Sequence, residues 1–213
     1  MDAATIEIPA DITPKAFYEE LLPKVFAENR ARAAALAPTA SQLSGTVRAE
    51  VQGDGGGVWT LQFASGELKV QAGAVGDAHA TFSQTRDDWQ VAITQGLGKL
   101  LSKLGSGPAA PVPGAGPRPG LTQAKLDRMR MMKGVLKFEL TGYEGSRTLR
   151  LLVGIGPGVE GKDPTAVVSV TAADFQDMTT GKLPPQQALM GGKVKLSGAG
   201  VAFAMQLGAT LMM

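Results

Sequence analysis

Residues 180–198 read Thr180-Gly-Lys-Leu-Pro-Pro-Gln-Gln-Ala-Leu-Met-Gly-Gly-Lys-Val-Lys-Leu-Ser-Gly198, and the apolar tail Val201-Ala-Phe-Ala-Met-Gln-Leu207 follows. Glycines and prolines separate a short apolar helix from an alternating strand, and a helix rich in small residues comes after the strand. The stretch contains no ionisable catalytic group. We therefore expect it to build an apolar surface rather than a reaction centre.

Extended back to Thr171-Ala-Ala-Asp-Phe-Gln-Asp-Met-Thr179, this sequence resembles the end of the sterol carrier protein 2 (SCP2) family. The shared features are an acidic-aromatic pair, a Gly-Lys-x-x-Pro run, a Gly-Lys-x-Lys-apolar-x-Gly strand and a Met-x-Leu helix. The resemblance is close over residues 165–207 and looser back to about residue 120. It implies an α+β fold in which helices cover a mixed or antiparallel five-stranded sheet.

The resemblance also implies a function. Members of the family hold an acyl chain or a sterol in an apolar tunnel, and they bind or transfer lipids without catalysis. We therefore expect a lipid-binding protein with no enzymatic activity, no cofactor and no metal. The ligand class stays open between a fatty acyl chain, an isoprenoid and a sterol-like molecule.

The composition agrees with a non-enzymatic globular protein. At 213 residues the chain suits one large domain or two small ones. Its 21 basic and 19 acidic residues nearly cancel, so we expect no nucleic-acid partner and at most transient membrane contact. The chain has no cysteine, which excludes disulfides, thiol catalysis and thiolate metal sites and fits a reducing compartment.

The two ends of the sequence lead us to expect no targeting signal. Met1-Asp-Ala-Ala-Thr-Ile-Glu-Ile8 lacks the basic and apolar regions of a signal peptide, and the last residues, Leu211-Met-Met213, do not match the Ser-Lys-Leu peroxisomal type. No apolar stretch approaches the ~20 residues that span a bilayer. We expect a cytoplasmic, bacterial protein.

An internal repeat is the strongest finding from the residues alone. Gly45-Thr-Val-Arg-Ala-Glu-Val-Gln-Gly53 and Gly134-Val-Leu-Lys-Phe-Glu-Leu-Thr-Gly142 are both alternating and bounded by glycine, with an offset of 89. Thr60-Leu-Gln-Phe63 matches Thr148-Leu-Arg-Leu151 at 88, and Thr85-Arg-Asp-Asp-Trp-Gln90 matches Thr171-Ala-Ala-Asp-Phe-Gln176 at 86. The order and the slowly drifting offset predict a duplication.

Both copies are predicted to follow one plan of helix, strands and helix. The first copy begins with a helix capped by Thr13 and Pro14, which Pro23 is expected to kink or split. Alternation and helical spacing predict the remaining elements. In the first copy these are strands 46–52, 58–64, 67–72 and 78–83 and helix 86–104. In the second copy they are helix 121–132, strands 134–141, 147–153 and 165–170, helices 173–180 and 185–190, strand 192–197 and helix 200–211.

The copies are predicted to be tandem and pseudo-symmetric, with Val47, Ala49 and Val51 facing the same way as Leu136, Phe138 and Leu140. Residues 1–104 form a degenerate first half, because they lack the closing strand and helix of the second. Residues 105–120, rich in proline and glycine, form a linker, and residues 121–213 form the lipid-binding half. The sequence does not show whether the two sheets merge.

The predicted ligand-facing residues all lie in the second half. Their apolar character and their positions in the resembling elements indicate Phe138, Leu140, Leu149, Leu151, Val168, Val170, Phe175, Met178, Leu189, Met190, Val194, Leu196, Val201 and Met205. Eight of the nine methionines lie at or after residue 129, which suits an adaptable apolar surface but is also compatible with core filling. The terminal helix likewise either lines the tunnel or packs as an ordinary helix.

The remaining polar residues favour structural roles. His79, the single histidine, lies at an outward strand position, and the Asp87–Asp88 and Asp174–Asp177 pairs lie at helix starts, where capping is favoured. Lys193 and Lys195 are expected on a solvated face. No metal, nucleotide or nucleophile motif occurs in the sequence.

Two functions from different classes therefore remain. The first is a carrier that holds an apolar ligand. The alternative is an accessory or scaffold subunit that has no open cavity and holds a partner enzyme acting on a lipid. An open apolar site favours the carrier, and a filled interior with an exposed apolar patch favours the scaffold.

Overall fold

The structure, a computed structural model, describes residues 8–28, 43–97 and 122–212. The predicted linker 105–120, the predicted helical residues 98–104 and the boundary between the two halves lie outside these residues. The helices in the described ranges include none that is both long and apolar enough to span a bilayer.

The described strands form one eight-stranded mixed sheet. Its strands run in the spatial order β3-β2-β1-β4-β6-β5-β7-β8. The bounds are β1 Gly45–Gln52, β2 Gly57–Ala64, β3 Glu67–Ala72, β4 Ala80–Thr85, β5 Gly134–Tyr143, β6 Arg147–Ile155, β7 Ala166–Thr171 and β8 Val194–Ser197.

Helices accompany the strands in the predicted order. Helix α1 comprises Pro14–Ala16, the π-helical segment Phe17–Leu21 and α-helical residues 22–28, and α2 comprises Arg86–Val91 and the π-helical segment Ala92–Leu97. The others are α3 Gln123–Met131, α4 Ala172–Thr179, α5 Pro185–Met190 and α6 Val201–Met212. Of the two effects predicted for Pro23, splitting is wrong, because the helix widens into π-helical turns just before the proline and continues through it, and the kink stays a prediction.

Most predicted elements are confirmed to within two residues, but two strands begin later than expected. Strand β4 begins at Ala80 rather than at residue 78, because the His79 side chain replaces the backbone there and its Nδ1 accepts the Thr46 N–H at 3.0 Å. Strand β8 begins at Val194 rather than at residue 192, because Gly192 adopts a positive φ of 69° in the preceding turn.

Strand pairing repeats between the two halves. Strand β1 is antiparallel to β2 and parallel to β4, and β5 is likewise antiparallel to β6 and parallel to β7. The parallel pairs have equivalent register, since Val47 lies opposite Ala80 and Leu136 lies opposite Ala166. The predicted duplication is therefore confirmed in the topology.

One predicted offset is wrong. Trp59 lies opposite Ala49, and Leu151 lies opposite Phe138, so β2 and β6 correspond at an offset of 92 rather than 88. The connecting turns differ in length, and β5 carries an irregularity between Leu140 and Tyr143. Both offsets are even, so the face assignment survives the change.

The two halves merge through one strand pair, β4 with β6. Each half has an edge strand without a described counterpart in the other, β3 in the first and β8 in the second. Phe82 of β4 lies opposite Val153 of β6, and the equivalent Val168 of β7 lies opposite Leu196 of β8. Beside the first half, β6 thus takes the place that β8 takes in the second half.

Equivalent aspartates strengthen this correspondence. Thr85 and Thr171 cap α2 and α4 by accepting the N–H groups of Asp88 and Asp174, so threonine rather than aspartate is the capping residue. The freed carboxylates reach the neighbouring chain segment. Asp88 accepts the N–H of Arg150 on β6 at 3.2 Å, and Asp174 accepts a hydrogen bond from Lys193, just before β8.

The sheet has one apolar face, and two clusters of helices pack on it. In the first half, Ala49, Val51, Trp59 and Leu61 form a core with residues of α1 and α2. A second core includes Leu136, Val153, Ile155 and Ala166 together with residues of α3 and α6. The opposite face is mainly polar, and buried Arg48 pairs with Glu160 there at 2.6 Å. The predicted α+β class, a mixed sheet covered by helices, is confirmed.

Candidate functional site

Eight of the predicted ligand-facing residues share the apolar face of the second half. Phe138 lies opposite Leu151 and Val168, Leu140 lies opposite Leu149 and Val170, and the pairs Val168–Leu196 and Val170–Val194 extend the face onto β8. We call these eight residues the open face. None of them is buried, and Phe138 is 37 % exposed. This part of the sheet is an apolar floor that the described residues cover incompletely.

The same face of the first half is closed over β1 and β2, but over β4 it is not, since Phe82 is 39 % exposed. Ala49 and Trp59, the equivalents of Phe138 and Leu151, are both buried. Phe17 of α1 packs edge-on against Trp89 of α2 with ring centroids 5.7 Å apart, and Tyr18 stacks on Trp59 at 4.8 Å. Aromatic side chains therefore fill the space above β1 and β2.

Hydrogen bonds fix this aromatic packing. The Trp89 Nε1–H donates to the Tyr18 hydroxyl at 3.2 Å, and the Trp59 Nε1–H donates to Glu19 Oε1 at 2.9 Å. Burial raises the pKa of Tyr18, and the hydrogen bond from Trp89 lowers it in part. Because the polar ends of the buried rings have partners, the first half forms a satisfied core rather than a vacant tunnel.

Helices α2 and α4 show the difference between the halves at one equivalent position. Trp89 and Phe175 each lie four residues after a capping threonine. Trp89 is 1 % exposed, whereas Phe175 is 46 % exposed. Helix α4 packs along β5 and β7, so Phe175 and the half-buried Met178 lie at the border of the open face.

In the second half, the end of the sheet that lies nearest α6 is covered. A Cβ added at Gly134 would lie 2.5 Å from the Phe203 ring, so this glycine admits close packing of α6 on β5. Leu207 of α6 and Met129 of α3 complete the buried cluster there. The sheet is therefore covered at the Leu136–Val153 level and only partly covered from Phe138 and Leu151 to Leu140 and Leu149.

The structure does not bring every predicted residue onto the open face. Val201 is half-buried, and Met205 lies on the other side of α6 from Phe203 and Leu207 and is exposed. Leu189 and Met190 end α5, and Met190 is 89 % exposed. The methionines fit both interpretations in part. Met129 and Met132 fill the core, whereas Met131, Met190 and Met205 are exposed and form apolar surface.

Two residues that the sequence analysis did not single out lie at the exposed end of the open face. Tyr143 lies opposite Arg147, one step beyond the Leu140–Leu149 pair. Burial and the neighbouring Glu144 raise the pKa of Tyr143, and Arg147 lowers it in part. The signal in the sequence was parity, since Arg147 alternates in step with Leu149 and Leu151.

The remaining polar groups make structural contacts. His79 continues the β1–β4 pairing, and Lys193 forms a surface pair with Asp174. The hydrogen bonds from Lys193 and then Thr171 lower the pKa of Asp174. Within the described ranges, no three His, Asp or Glu side chains are placed to hold a metal ion.

The polar face carries a separate cleft of about 230 Å³. Its walls include Thr81, Ser83, Glu50 and the loop residues Glu160–Pro164. The buried Thr81 hydroxyl has no hydrogen-bond partner among the residues that the structure describes. The cleft lies on the opposite side of the sheet from the open face and shares no residue with it.

The protein is thus an α+β sheet with helices on one side and a partly exposed apolar face. The chain belongs to the SCP-2 sterol transfer family, whose sequence pattern matches residues 26–101 and again residues 119–212. The predicted family and its tandem duplication are thus confirmed. Domains of this family are generally carriers of sterols and other lipids.

Solved structures of the same kind are similar to this chain. Sterol carrier protein 2 from Yarrowia lipolytica is 22 % identical, with 41 % of this chain and 71 % of that chain covered and a TM-score of 0.29. Sterol carrier protein domain 2 of Helicoverpa armigera is also 22 % identical, with 40 % and 70 % covered and a TM-score of 0.29. The ubiquinone synthesis protein UbiJ-SCP2 is 18 % identical, with 46 % and 100 % covered and a TM-score of 0.30. The comparison with curated proteins gives no match.

Proposed function

We propose that the protein binds a single apolar ligand on the open face of its second half and has no catalytic activity of its own. The ligand class is a fatty acyl chain, an isoprenoid or a sterol-like lipid. The observation that carries the proposal is the contrast between equivalent strands, because aromatic rings cover the apolar face of β1 and β2 in the first half, whereas that of β5 and β6 is left partly exposed in the second.

The energetics favour a ligand with a long apolar chain. Burying a methylene group gains ~0.8 kcal/mol, so a dozen buried carbons supply about 10 kcal/mol before the entropic cost of binding is subtracted. Such a ligand would also cover Phe138 and its neighbours, which are now partly exposed to water. No directed polar contact is required for useful affinity.

The predicted ligand-facing residues take different parts in this proposal. The eight residues of the open face form the floor, and Phe175 and Met178 form a wall on the side of α4. Val201 contributes from α6. Leu189, Met190 and Met205 can contact the ligand only if α5 or α6 shifts, because they project into solvent.

The first half acts as a support in this proposal. Its core is filled, and β4 covers the β6 edge of the ligand-binding half. A strand buried on both edges is held more firmly than an edge strand. The first half thereby fixes one side of the open face without binding a ligand itself.

Native mass spectrometry of the purified full-length protein tests the proposal. We expect a lipid at about one copy per chain, released by organic solvent and identified by fragmentation. The Phe138→Asp variant should lose it, since a carboxylate on the apolar floor costs desolvation energy. Val75→Asp is the matched control, because Val75 is 39 % exposed and lies outside the open face. An unliganded mass that stays unchanged after incubation with fatty acids, isoprenols and sterols would overturn the proposal.

A scaffold role is the second candidate, and the exposure of Leu189 and Met190 favours it. These side chains form an apolar surface apart from the open face, on a short helix that is free to contact another protein. If the protein carries no lipid, affinity capture of a lipid-modifying enzyme that is lost in Met190→Asp would establish this role. Retention of the enzyme by that variant would count against it.

A further inference from the structure

The open face is covered by α6 at one end and partly exposed at the other. Along the β5–β6 pair the cross-strand partners are Leu136–Val153, Phe138–Leu151, Leu140–Leu149 and Tyr143–Arg147. The first pair is buried under α6, and the later pairs are half-buried or exposed. At ~3.3 Å per residue the span from Leu136 to Tyr143 is roughly 20 Å, which accommodates the chain of an ordinary fatty acid.

The exposed end of the open face carries a positive charge. Arg147 has the same parity as Leu149 and Leu151, and the irregularity in the ladder lies on β5, so its side chain projects on the apolar side. On that side of β5–β8, which the structure describes completely, Arg147 is the only residue with a charged side chain. An otherwise apolar strand face thus ends at one guanidinium, with the carboxylates of Asp88 and of the turn residue Glu144 at the same end.

The Arg147 guanidinium has an ion-pair partner and remains partly accessible to a ligand. Its Nη2 lies 3.4 Å from Oδ1 of Asp88, which reaches over from the first half. Asp88 also accepts the Arg150 N–H, so its carboxylate is shared between two donors. The Arg147 side chain remains 38 % exposed, and arginine has five N–H donors in a planar fork that suits oxyanions.

We infer that the ligand is an amphiphile with an anionic head, a carboxylate or a phosphate at the end of one apolar chain. The head binds at Arg147, and the chain runs along Leu149, Leu140 and Phe138 towards the closed end. This inference rests on the proposed function and adds the class of head group and the orientation of the ligand. Tyr143 lies opposite Arg147 at the same end of the strand pair.

Calorimetric titration of the full-length protein with three ligands of one chain length tests the inference. The ligands are dodecanoate, dodecyl phosphate and dodecanol, and the proteins are the unmodified chain and the variants Arg147→Gln, Arg147→Lys and Arg150→Gln. Arg150 is the matched control, because it lies three residues away on the same strand and its side chain pairs with Glu139 on the polar face. We expect the unmodified chain to prefer one or both anions over the alcohol by about tenfold or more.

Each outcome decides the matter. Loss of the preference in Arg147→Gln, with retention in Arg150→Gln and partial retention in Arg147→Lys, supports the inference, and which anion is preferred identifies the source of the oxyanion. Equal binding of all three ligands by the unmodified chain overturns the inference and leaves the proposed function standing. A preference that persists in Arg147→Gln also overturns it. Binding of none of these three ligands, and of no sterol or isoprenol titrated in the same way, overturns the proposed function itself. If Arg147→Gln does not fold, the ligand series on the unmodified chain and Arg147→Lys still decide.

Discussion

Trp89 and Phe175 occupy the same position in the two copies of one helix, yet Trp89 is buried in an aromatic core and the Phe175 side chain is almost half exposed beside a partly exposed sheet face. The two helices begin alike, with Thr85 and Thr171 as equivalent caps. The difference comes from α1, whose Phe17 and Tyr18 cover the first sheet. The duplication has therefore produced one filled copy and one open copy.

Truncation at these two positions should separate stability from binding. Trp89→Ala is expected to lower the free energy of unfolding by about 3–5 kcal/mol, because it leaves a cavity among Phe17, Tyr18 and Ile12. Phe175→Ala should cost less than about 1.5 kcal/mol, since the ring is already largely in water, and it should weaken lipid binding. Urea denaturation and lipid titration measure both effects. Equal destabilisation by the two changes would contradict the description of the second half as open.

The junction between the halves depends on Asp88. Asp88→Ala leaves the Arg150 N–H without its acceptor and removes the partner of Arg147, so we expect a loss of about 1–3 kcal/mol in the free energy of unfolding. The neighbouring Asp87 is exposed, and Asp87→Ala should lose only the helix-dipole contribution, about 0.3–1 kcal/mol. Both values come from urea denaturation at neutral pH. A loss in Asp88→Ala no larger than that in Asp87→Ala would show that the junction does not depend on this carboxylate.

Gly156 and Gly158 provide a matched test of close packing between β6 and the segment before β5. Both have positive φ, 80° and 71°, so alanine strains the backbone at either position. At Gly156 the added Cβ would also collide with the Met132 carbonyl oxygen, whereas at Gly158 it would meet nothing within 4 Å. We expect Gly156→Ala to be less stable than Gly158→Ala by about 1–3 kcal/mol. Thermal denaturation of the two variants measures the difference, and indistinguishable stabilities would refute the contact.

The Asp174–Lys193 pair should make a small, salt-sensitive contribution on the acid side. The pKa of Asp174 is lowered from 3.8 in the folded chain, so the pair stabilises the fold above that value and the contribution disappears as the pH falls through the folded-state pKa. The pair is exposed, so the effect should shrink further as salt is added. Asp174→Asn and Lys193→Met should each flatten the dependence of the urea midpoint on pH below about 4. An acid dependence unchanged in both variants would show that the pair does not contribute.

Much of the fold followed from local pattern. Alternation assigned Val47, Ala49 and Val51 to one face and Leu136, Phe138 and Leu140 to the equivalent one, because a strand allows only two parities. The acidic pairs Asp87–Asp88 and Asp174–Asp177 indicated where two helices start, although the capping residues are Thr85 and Thr171. What depends on tertiary contact was not accessible in this way.

Three results required the structure. The pairing of β4 with β6 has no local signature, since both are ordinary alternating strands and nothing in Phe82 or Val153 marks them as partners. The outward side of Met205 depends on which face of α6 docks, and the contact of Phe203 with Gly134 decides that. The 92-residue offset of β2 and β6 depends on turn length, which shifts register without changing parity.

The sharing of β6 also changes how the molecule meets its neighbours in a concentrated solution. Two separate sheets would have four edge strands. The merged sheet of the described strands has only two, β3 and β8. Each of these is poorly suited to templating another chain, since β3 carries Glu67 and Lys69 and β8 is four residues long with a lysine in its middle. A protein with a partly exposed apolar face has thereby reduced the other common route to self-association.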